Sequence, residues 1–247
     1  GLMLASIPIF VERGVISREF APEVAMRTLR FFRDSPHGPE KDATGYQGFY
    51  YHFLDMKSGK RAWECELSTL DSAFLLAGML SCAAYFDADT EEEQELRQLA
   101  TWLFERADWQ WAMNQGPALS HGWTPENGFI PHYYHGYDEA LLLYILGLGS
   151  PTYPLPEESY QAYCSTYQWK RLYGREVLHS SPLFTHQLSH LWVDFRGIAD
   201  KFMLDHNTDY FQNSMQATYV QQAYAIDNPK GFEGYGEHCW GITATDG

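Results

Sequence analysis

The sequence predicts an all-α protein built mainly from helices in consecutive pairs. Apolar residues recur mostly at helical spacing, alternation with a period of two is scarce, and Gly, Pro, Asn and His fill the loops. Two segments near the middle of the chain are apolar nearly all round, as expected where an outer layer of helices covers an inner one. No linker divides the chain, so we expect a single domain over residues 1–247.

The first third of the chain contains helix and turn signals. Residues 1–10 are typical of an apolar helix, and Ser17 can cap a helix that runs to about Phe32. Residues 46–59 predict a short hairpin with a Lys-Ser-Gly turn. Neither end carries the usual signals, which predicts an internal piece of a longer protein without a signal peptide of its own.

The remaining helices are predicted from capping residues. Ser68 with Asp71, and Thr90 with Glu93, each form a possible capping box before an apolar helix. Three further helices are predicted, over residues 138–146, from Pro156 onward, and from about 207 to 225.

The composition disfavours some classes of function and favours others. The formal charge of −15, from 32 acidic and 17 basic residues, disfavours nucleic acid as a partner. No apolar run is long enough for a membrane span, and the four cysteines form no CxxC pair. The aromatic content of 16% suits a protein whose rings stack on sugar faces.

Aromatic residues, carboxylates and glycines cluster in a few loops. These loops are residues 63–66, 121–127, 132–139 and 233–241. Such clusters suit a cleft in which rings stack on sugars and acids transfer protons, although ordinary packing of aromatic loops would give the same composition.

Glycoside hydrolysis needs a protonated carboxylic acid and a second carboxylate that activates water or attacks the anomeric carbon. Asp71 and Glu139 both stand at the mouths of very apolar helices and are the first candidates. The alternative for each is a helix cap, which is the usual role of an acid in a first helical turn.

Two other chemistries are disfavoured. His186 and His190 have the spacing of a zinc-binding HExxH helix, but Gln187 stands where the glutamate base is required, so we predict no metal. The chain also has no GxSxG nucleophile elbow and no phosphate-binding P-loop.

Three motifs carry a resemblance to a known family. They are Glu233-Gly-Tyr-Gly-Glu-His-Cys-Trp-Gly241 with its continuation to Asp246, Ser180-Ser-Pro-Leu-Phe-Thr-His186, and Gly136-Tyr-Asp-Glu-Ala140 followed by Ser150-Pro-Thr-Tyr-Pro154. These motifs, which occur in the same order along the chain as in the family, resemble those of the glycoamylase-like family, which includes endo-β-1,2-glucanases and the related domain of cyclic β-1,2-glucan synthases.

The resemblance implies a fold and an incomplete chain. Family members are expected to form an (α/α)6 toroid, twelve helices in six hairpins, with a carbohydrate cleft at one end. This chain resembles the central portion only, so a catalytic base outside it is expected.

The resemblance also implies roles for individual residues. Glu139 matches an essential glutamate of the β-1,2-glucanases and is expected to be the general acid. Ser68 and Asp71 depart from the Asp-x-x-Glu-Thr-Ala pattern of those enzymes, so Asp71 is assigned to binding sugar hydroxyls or orienting water. The expected sugar contacts are Trp123, Tyr137, His186, Tyr235, Glu237, Trp240 and Asp246.

The function expected from the resemblance is an inverting hydrolase of β-linked glucan, with β-1,2-glucan as the first candidate and no cofactor. Two alternatives remain, a transglycosylase of the cyclic-glucan type and a non-catalytic glucan-binding domain. The expected partner is an oligo- or polysaccharide. The expected location is periplasmic or extracellular, with the cytoplasm as the alternative.

Overall fold

The computed structural model describes residues 1–243, and these residues fold into two compact units. The first unit comprises residues 1–134 and 143–159. The second comprises residues 135–142 and the described residues from 160 onward. The interpretation as one domain stays a prediction.

Four longer helices and one short helix lie wholly within the first unit. They are α1 (Leu2–Glu12), α2 (Ala21–Asp34), α3 (Thr69–Tyr85), α4 (Glu91–Glu105) and α5 (Trp109–Ala112). Helix α3 packs against α1 and α4, and α2 packs against α4. The two predicted capping residues act as caps, because the Ser68 hydroxyl accepts from the Asp71 amide and the Thr90 hydroxyl from the Glu93 amide.

An antiparallel sheet completes the first unit. Its five strands, in spatial order, are β1 (Gly45–Tyr46), β2 (Phe49–Tyr51), β3 (Leu67–Ser68), β4 (Gly122–Thr124) and β5 (Gly128–Phe129). Gln47 and Gly48 join β1 to β2 in a tight turn with φ of 53° and 82°, the positive values that a two-residue hairpin requires. Strand β3 leads directly into α3, so the sheet positions the first turn of that helix.

The second unit consists of short helices and a hairpin around one long helix. Its elements are α7 (Glu157–Cys164), β6 (Trp169–Leu172), β7 (Arg175–Leu178), α8 (Leu183–Gln187), α9 (Lys201–Asp205) and α10 (Tyr210–Asp227). The chain crosses between the units after Tyr134, within α6 (Leu141–Leu148) and within α7. Within the second unit, α10 packs on β7 and α8, and the Asn213 side chain accepts the Leu178 amide at 2.8 Å.

The all-α prediction is therefore wrong, and with it the toroid built from helices alone. The described residues contain a five-stranded antiparallel sheet and a separate two-stranded one. The strands are two to four residues long, too short for alternation to be recognised, and β3 pairs with a strand far along the sequence, Leu67 with Trp123.

Several local predictions are confirmed, with shifted boundaries. The first ten residues lie almost entirely in α1, and α10 covers the predicted last helix. Ser17 does not cap α2 directly; its hydroxyl accepts from the Phe20 amide in the turn before the helix. No helix in the described part of the chain is long and apolar enough to cross a membrane.

Candidate active site

Glu139 lies half-buried in the turn that leads into α6. Three residues before it, Gly136 has a φ of 89°, and its amide donates to the Tyr163 carbonyl at 2.8 Å. This left-handed conformation favours glycine, and an added Cβ would lie 3.1 Å from the Thr166 hydroxyl oxygen. The approach to Glu139 is thus anchored on α7 and the residues that follow it.

The Tyr163 hydroxyl holds the residue immediately before Glu139. This fully buried side chain lies 3.3 Å from the Asp138 amide nitrogen, 3.2 Å from its carbonyl oxygen and 3.1 Å from Oδ1. The same Oδ1 accepts the Ala140 amide at 2.9 Å. The backbone on both sides of Glu139 is therefore fixed by one carboxyl and one phenol, and the Glu139 side chain stays partly accessible.

Asp138 is an unusual carboxyl. Burial raises its pKa to about 7, with the neighbouring Glu139 charge adding to the rise, while the Ala140 amide and the Tyr163 hydroxyl act in the opposite direction. Near neutral pH, Asp138 is therefore only partly ionised. Because Asp138 is fully engaged in local hydrogen bonds, it serves to position the turn, and Glu139 is left as the group that can reach a ligand.

The raised pKa of Asp138 predicts that the folding free energy depends on pH. Asp138 keeps its proton to about pH 7 in the folded state, but an unfolded chain releases it near pH 4. The contribution of Asp138 to the free energy of unfolding is therefore fully present below about pH 4, falls as the pH rises to about 7, and levels off above that pH. The expected slope reaches at most about 1.4 kcal/mol per pH unit, since one proton is involved.

Urea unfolding of wild type and Asp138→Asn between pH 4 and 8 measures this slope. The difference between the two curves isolates the contribution of Asp138, because every other titrating group contributes to both proteins alike. One such group is His186, whose pKa is lowered by burial, so that its contribution to stability rises with pH. Asp205→Asn, at an exposed carboxyl, is the matched control. Parallel curves for wild type and Asp138→Asn would show that Asp138 titrates normally.

Two predicted sugar contacts meet inside the second unit. The rings of Tyr137 and His186 lie 5.1 Å apart, and both side chains are buried. His186 Nε2 lies 3.0 Å from the Ser180 carbonyl oxygen, which assigns the proton to that nitrogen, and burial lowers the pKa of the imidazole to about 4. The ring is therefore neutral, and Tyr137 and His186 pack with Asn213 of α10; their contact with sugar stays a prediction.

The predicted contacts near the end of the chain share one loop. Tyr235 is half-buried against the Phe232 ring, whereas Glu237 and Trp240 are exposed. An isolated bridge between residues 236 and 239 closes the loop. Asp246 lies outside the described residues.

In the first unit, Asp71 belongs to a group of two carboxylates and one histidine. His52 Nδ1 lies 2.8 Å from Glu66 Oε1, and Nε2 lies 3.5 Å from Asp71 Oδ2. The Ser68 hydroxyl donates to the same Asp71 oxygen at 2.6 Å. With 49% of its side chain exposed, Asp71 can still accept hydrogen bonds from a ligand.

Asp71 and His52 of this group border a pocket of about 500 Å³ in the first unit. Asp71 contributes a carboxylate to its lining and His52 an imidazole, and Tyr50, Tyr51 and Phe74 contribute aromatic rings. A concave surface with a few polar groups among aromatic rings is the usual form of a small-molecule site.

Trp123 lies elsewhere on the same sheet, within an aromatic cluster. Its ring is 5.1 Å from Tyr46 and 6.0 Å from Trp111, and Trp111 lies 4.7 Å from Phe129. All four side chains are half-buried, so each has part of its surface open to solvent.

Sequence reasoning missed three supporting residues. The sequence predicts His52 only as part of a hairpin, and its pairing with Glu66 arises because β2 and β3 are neighbours, which no local pattern reveals. The contact of Tyr163 with Asp138 likewise joins residues far apart in sequence. The signal available for Asp138 was its place beside Glu139 in an apolar segment, where a carboxyl requires a partner.

The two histidines with HExxH spacing do not share one helix. His186 lies in α8, but His190 lies in the 3-10 turn that follows it. Within residues 1–243, no group of three or more His, Cys, Asp or Glu side chains is arranged to hold a metal ion.

Comparison with known proteins agrees with the sequence motifs. Residues 131–247 match the family described as "Glycoamylase: Putative glucoamylase". The predicted resemblance to the glycoamylase-like family is therefore confirmed in this part of the chain.

Individual relatives extend the likeness over nearly the whole chain. A putative glucoamylase from Bacteroides uniformis is 31% identical, with a TM-score of 0.88 over 99% of this chain and 60% of its own. An endo-β-1,2-glucanase from Chitinophaga pinensis, solved as a sophorotriose and glucose complex, is 26% identical, with a TM-score of 0.84 over 98% of this chain and 59% of its own.

A curated relative is similar over the full chain. The exo β-1,2-glucooligosaccharide sophorohydrolase of Parabacteroides distasonis is 27% identical over 100% of this chain and 37% of its own length. The chain thus spans between about a third and three fifths of the length of these three relatives.

Proposed function

We propose that this chain is part of a glycoside hydrolase that cleaves β-linked glucan, with β-1,2-glucan as the preferred substrate. The observation that carries the proposal is the carboxyl pair at the start of α6, in which Asp138 and Tyr163 fix the turn and leave Glu139 partly accessible. Two relatives named for action on β-1,2-linked glucose chains align over nearly the whole chain and support the choice of substrate.

In the proposed reaction, Glu139 is the general acid. Its carboxyl donates a proton to the glycosidic oxygen as the bond to the anomeric carbon breaks, so that the leaving sugar departs as a neutral alcohol. Water attacks the anomeric carbon and gives up a proton to a base, and inversion is the expected stereochemistry. The protonated Glu139 must be restored from solvent before the next cycle.

The charge of Asp138 bears on the turn that carries Glu139. Asp138 gains its negative charge only as the pH approaches about 7. Ionisation then places a charge on a buried carboxyl in the turn, so we expect the turn to be held most firmly below this pH.

Asp71 has a different part in the proposal. Its partly exposed carboxylate, held by Ser68 and close to His52, accepts hydrogen bonds from sugar hydroxyls. Serine at position 68 stands where the glucanase pattern has an acid. Its hydroxyl accepts a hydrogen bond from the Asp71 amide, as a helix cap, and donates one to the Asp71 carboxylate, so it holds Asp71 in place.

Product analysis in ¹⁸O-labelled water tests the reaction type. The full-length protein is incubated with β-1,2-gluco-oligosaccharides, and the masses of the products are measured by mass spectrometry. Hydrolysis places one ¹⁸O atom at each new reducing end, whereas transglycosylation gives unlabelled longer or cyclic products. Calorimetric binding without any product would favour a glucan-binding domain and contradict the proposal.

A further inference from the structure

The first unit has an exposed tryptophan, Trp63, whose own backbone conformation is strained. Trp63 is 82% exposed, and both Trp63 and Glu64 have positive φ, at 54° and 52°. The left-handed region costs a non-glycine residue on the order of 1 kcal/mol or more, and burial of the indole does not repay that cost here. A ring held in solvent by a strained turn is typical of a surface that contacts a ligand.

The turn is held by a buried arginine. The side chain of Arg61 is only 3% exposed; Nε donates to the Cys65 carbonyl at 2.5 Å and Nη2 to the Glu64 carbonyl at 2.6 Å. Its Nη1 pairs with Glu126 at 2.9 Å. The backbone conformation of the turn is therefore imposed by internal hydrogen bonds before any ligand arrives.

Trp63 continues a row of rings that ends on carboxylates. Its ring centroid lies 5.1 Å from Phe53, and Phe53 stacks on His52 at 4.1 Å with an interplanar angle of 12°. His52 in turn contacts Glu66 and Asp71, as described above. We call the rings of His52, Phe53 and Trp63 the Trp63 platform.

We propose that the Trp63 platform is a binding subsite for a pyranose ring of a β-glucan, with Glu66 and Asp71 accepting hydrogen bonds from its hydroxyls. Flat, partly exposed rings cover the apolar face of a sugar, and carboxylates bind its hydroxyl rim. The acidic surroundings exclude an anionic ligand, since the pair of carboxylates would repel it. This inference rests on the proposed function and extends it to His52 and Phe53, which the sequence predicts only as part of a hairpin.

The test compares three variants in the full-length protein. Trp63→Gly removes the ring and suits the positive φ, Trp63→Phe keeps an aromatic face, and Trp102→Ala removes a half-exposed indole on α4 as a control. Binding of β-1,2-gluco-oligosaccharides is measured by calorimetry and by tryptophan fluorescence, and thermal unfolding is followed alongside.

We expect Trp63→Gly to raise Kd about tenfold or more while its Tm stays equal to or above that of wild type. Trp63→Phe should retain most of the affinity, and Trp102→Ala all of it. An unchanged Kd for Trp63→Gly, in a protein whose wild type binds and cleaves glucan, would overturn the subsite alone. Failure of wild type to bind any β-glucan would overturn the proposed function together with the subsite.

Discussion

Replacing Glu139 by glutamine should lower kcat on β-1,2-glucan by about 10² to 10⁴-fold with little change in KM. The variant keeps the size and hydrogen-bonding reach of the side chain but cannot donate an acidic proton to the leaving oxygen. Since the Asp138 carboxyl and the Tyr163 hydroxyl fix the turn independently of this side chain, the fold of the variant should be unchanged.

Substrate chemistry separates a general acid from a residue that only binds sugar. An aryl glycoside with a good leaving group needs little proton donation, so its bond cleavage should be much less affected in Glu139→Gln. Glu91→Gln, at an exposed acid in the first turn of α4, is the matched control and should behave as wild type. Full activity of Glu139→Gln on the natural glucan would remove Glu139 from the mechanism.

The second large effect is expected for Tyr163→Phe. The hydroxyl lies within hydrogen-bond distance of three atoms of Asp138, and its loss leaves buried polar groups without that partner. The expected cost is about 1–3 kcal/mol of folding free energy. Because the turn that carries Glu139 would loosen, kcat should also fall, by up to about 100-fold if the carboxyl shifts by about 1 Å.

Activity must be measured well below the unfolding transition to separate the two effects. The pH profile supplies a second readout: without the Tyr163 hydroxyl, which lowers the Asp138 pKa, the ionisation of Asp138 should move to higher pH. The alkaline limb of kcat should then change shape in Tyr163→Phe but not in Tyr153→Phe, an exposed control. A variant that loses stability yet keeps both kcat and its pH profile would restrict Tyr163 to a structural role.

The helices were predictable where the signal is local. Ser68 and Thr90 cap α3 and α4 as expected, because a capping bond joins residues three positions apart. Helix α6 instead begins at Leu141, later than predicted, since Asp138 and Glu139 are used in the turn that precedes it.

The strands were not predictable from the same kind of reasoning. Gly122 and Trp123 of β4 pair with β3 although α3, α4 and α5 lie between the two strands in sequence, and neither strand shows a recognisable alternation. The β6–β7 hairpin has one local signal in the sequence, Gly174, which forms the two-residue turn with Tyr173; both residues have positive φ.

The candidate site was partly predictable. The motif around Glu139 predicts this residue as the general acid, and that role stays a prediction. The family resemblance carried by the three motifs is confirmed over residues 131–247. The partners that explain how the carboxyls are held, Tyr163 for Asp138 and His52 for Asp71, come from distant parts of the sequence. Such contacts depend on the fold, and the fold expected from the resemblance was wrong in its strands.

The most direct measurement is the release of new reducing ends by the full-length protein from β-1,2-, β-1,3-, β-1,4- and α-1,4-glucans. Selective release from β-1,2-glucan, abolished in Glu139→Gln, is the result we predict. Equal or greater release from one of the other glucans, or no release from any of them, would contradict the proposal that this chain is part of a β-1,2-glucan hydrolase.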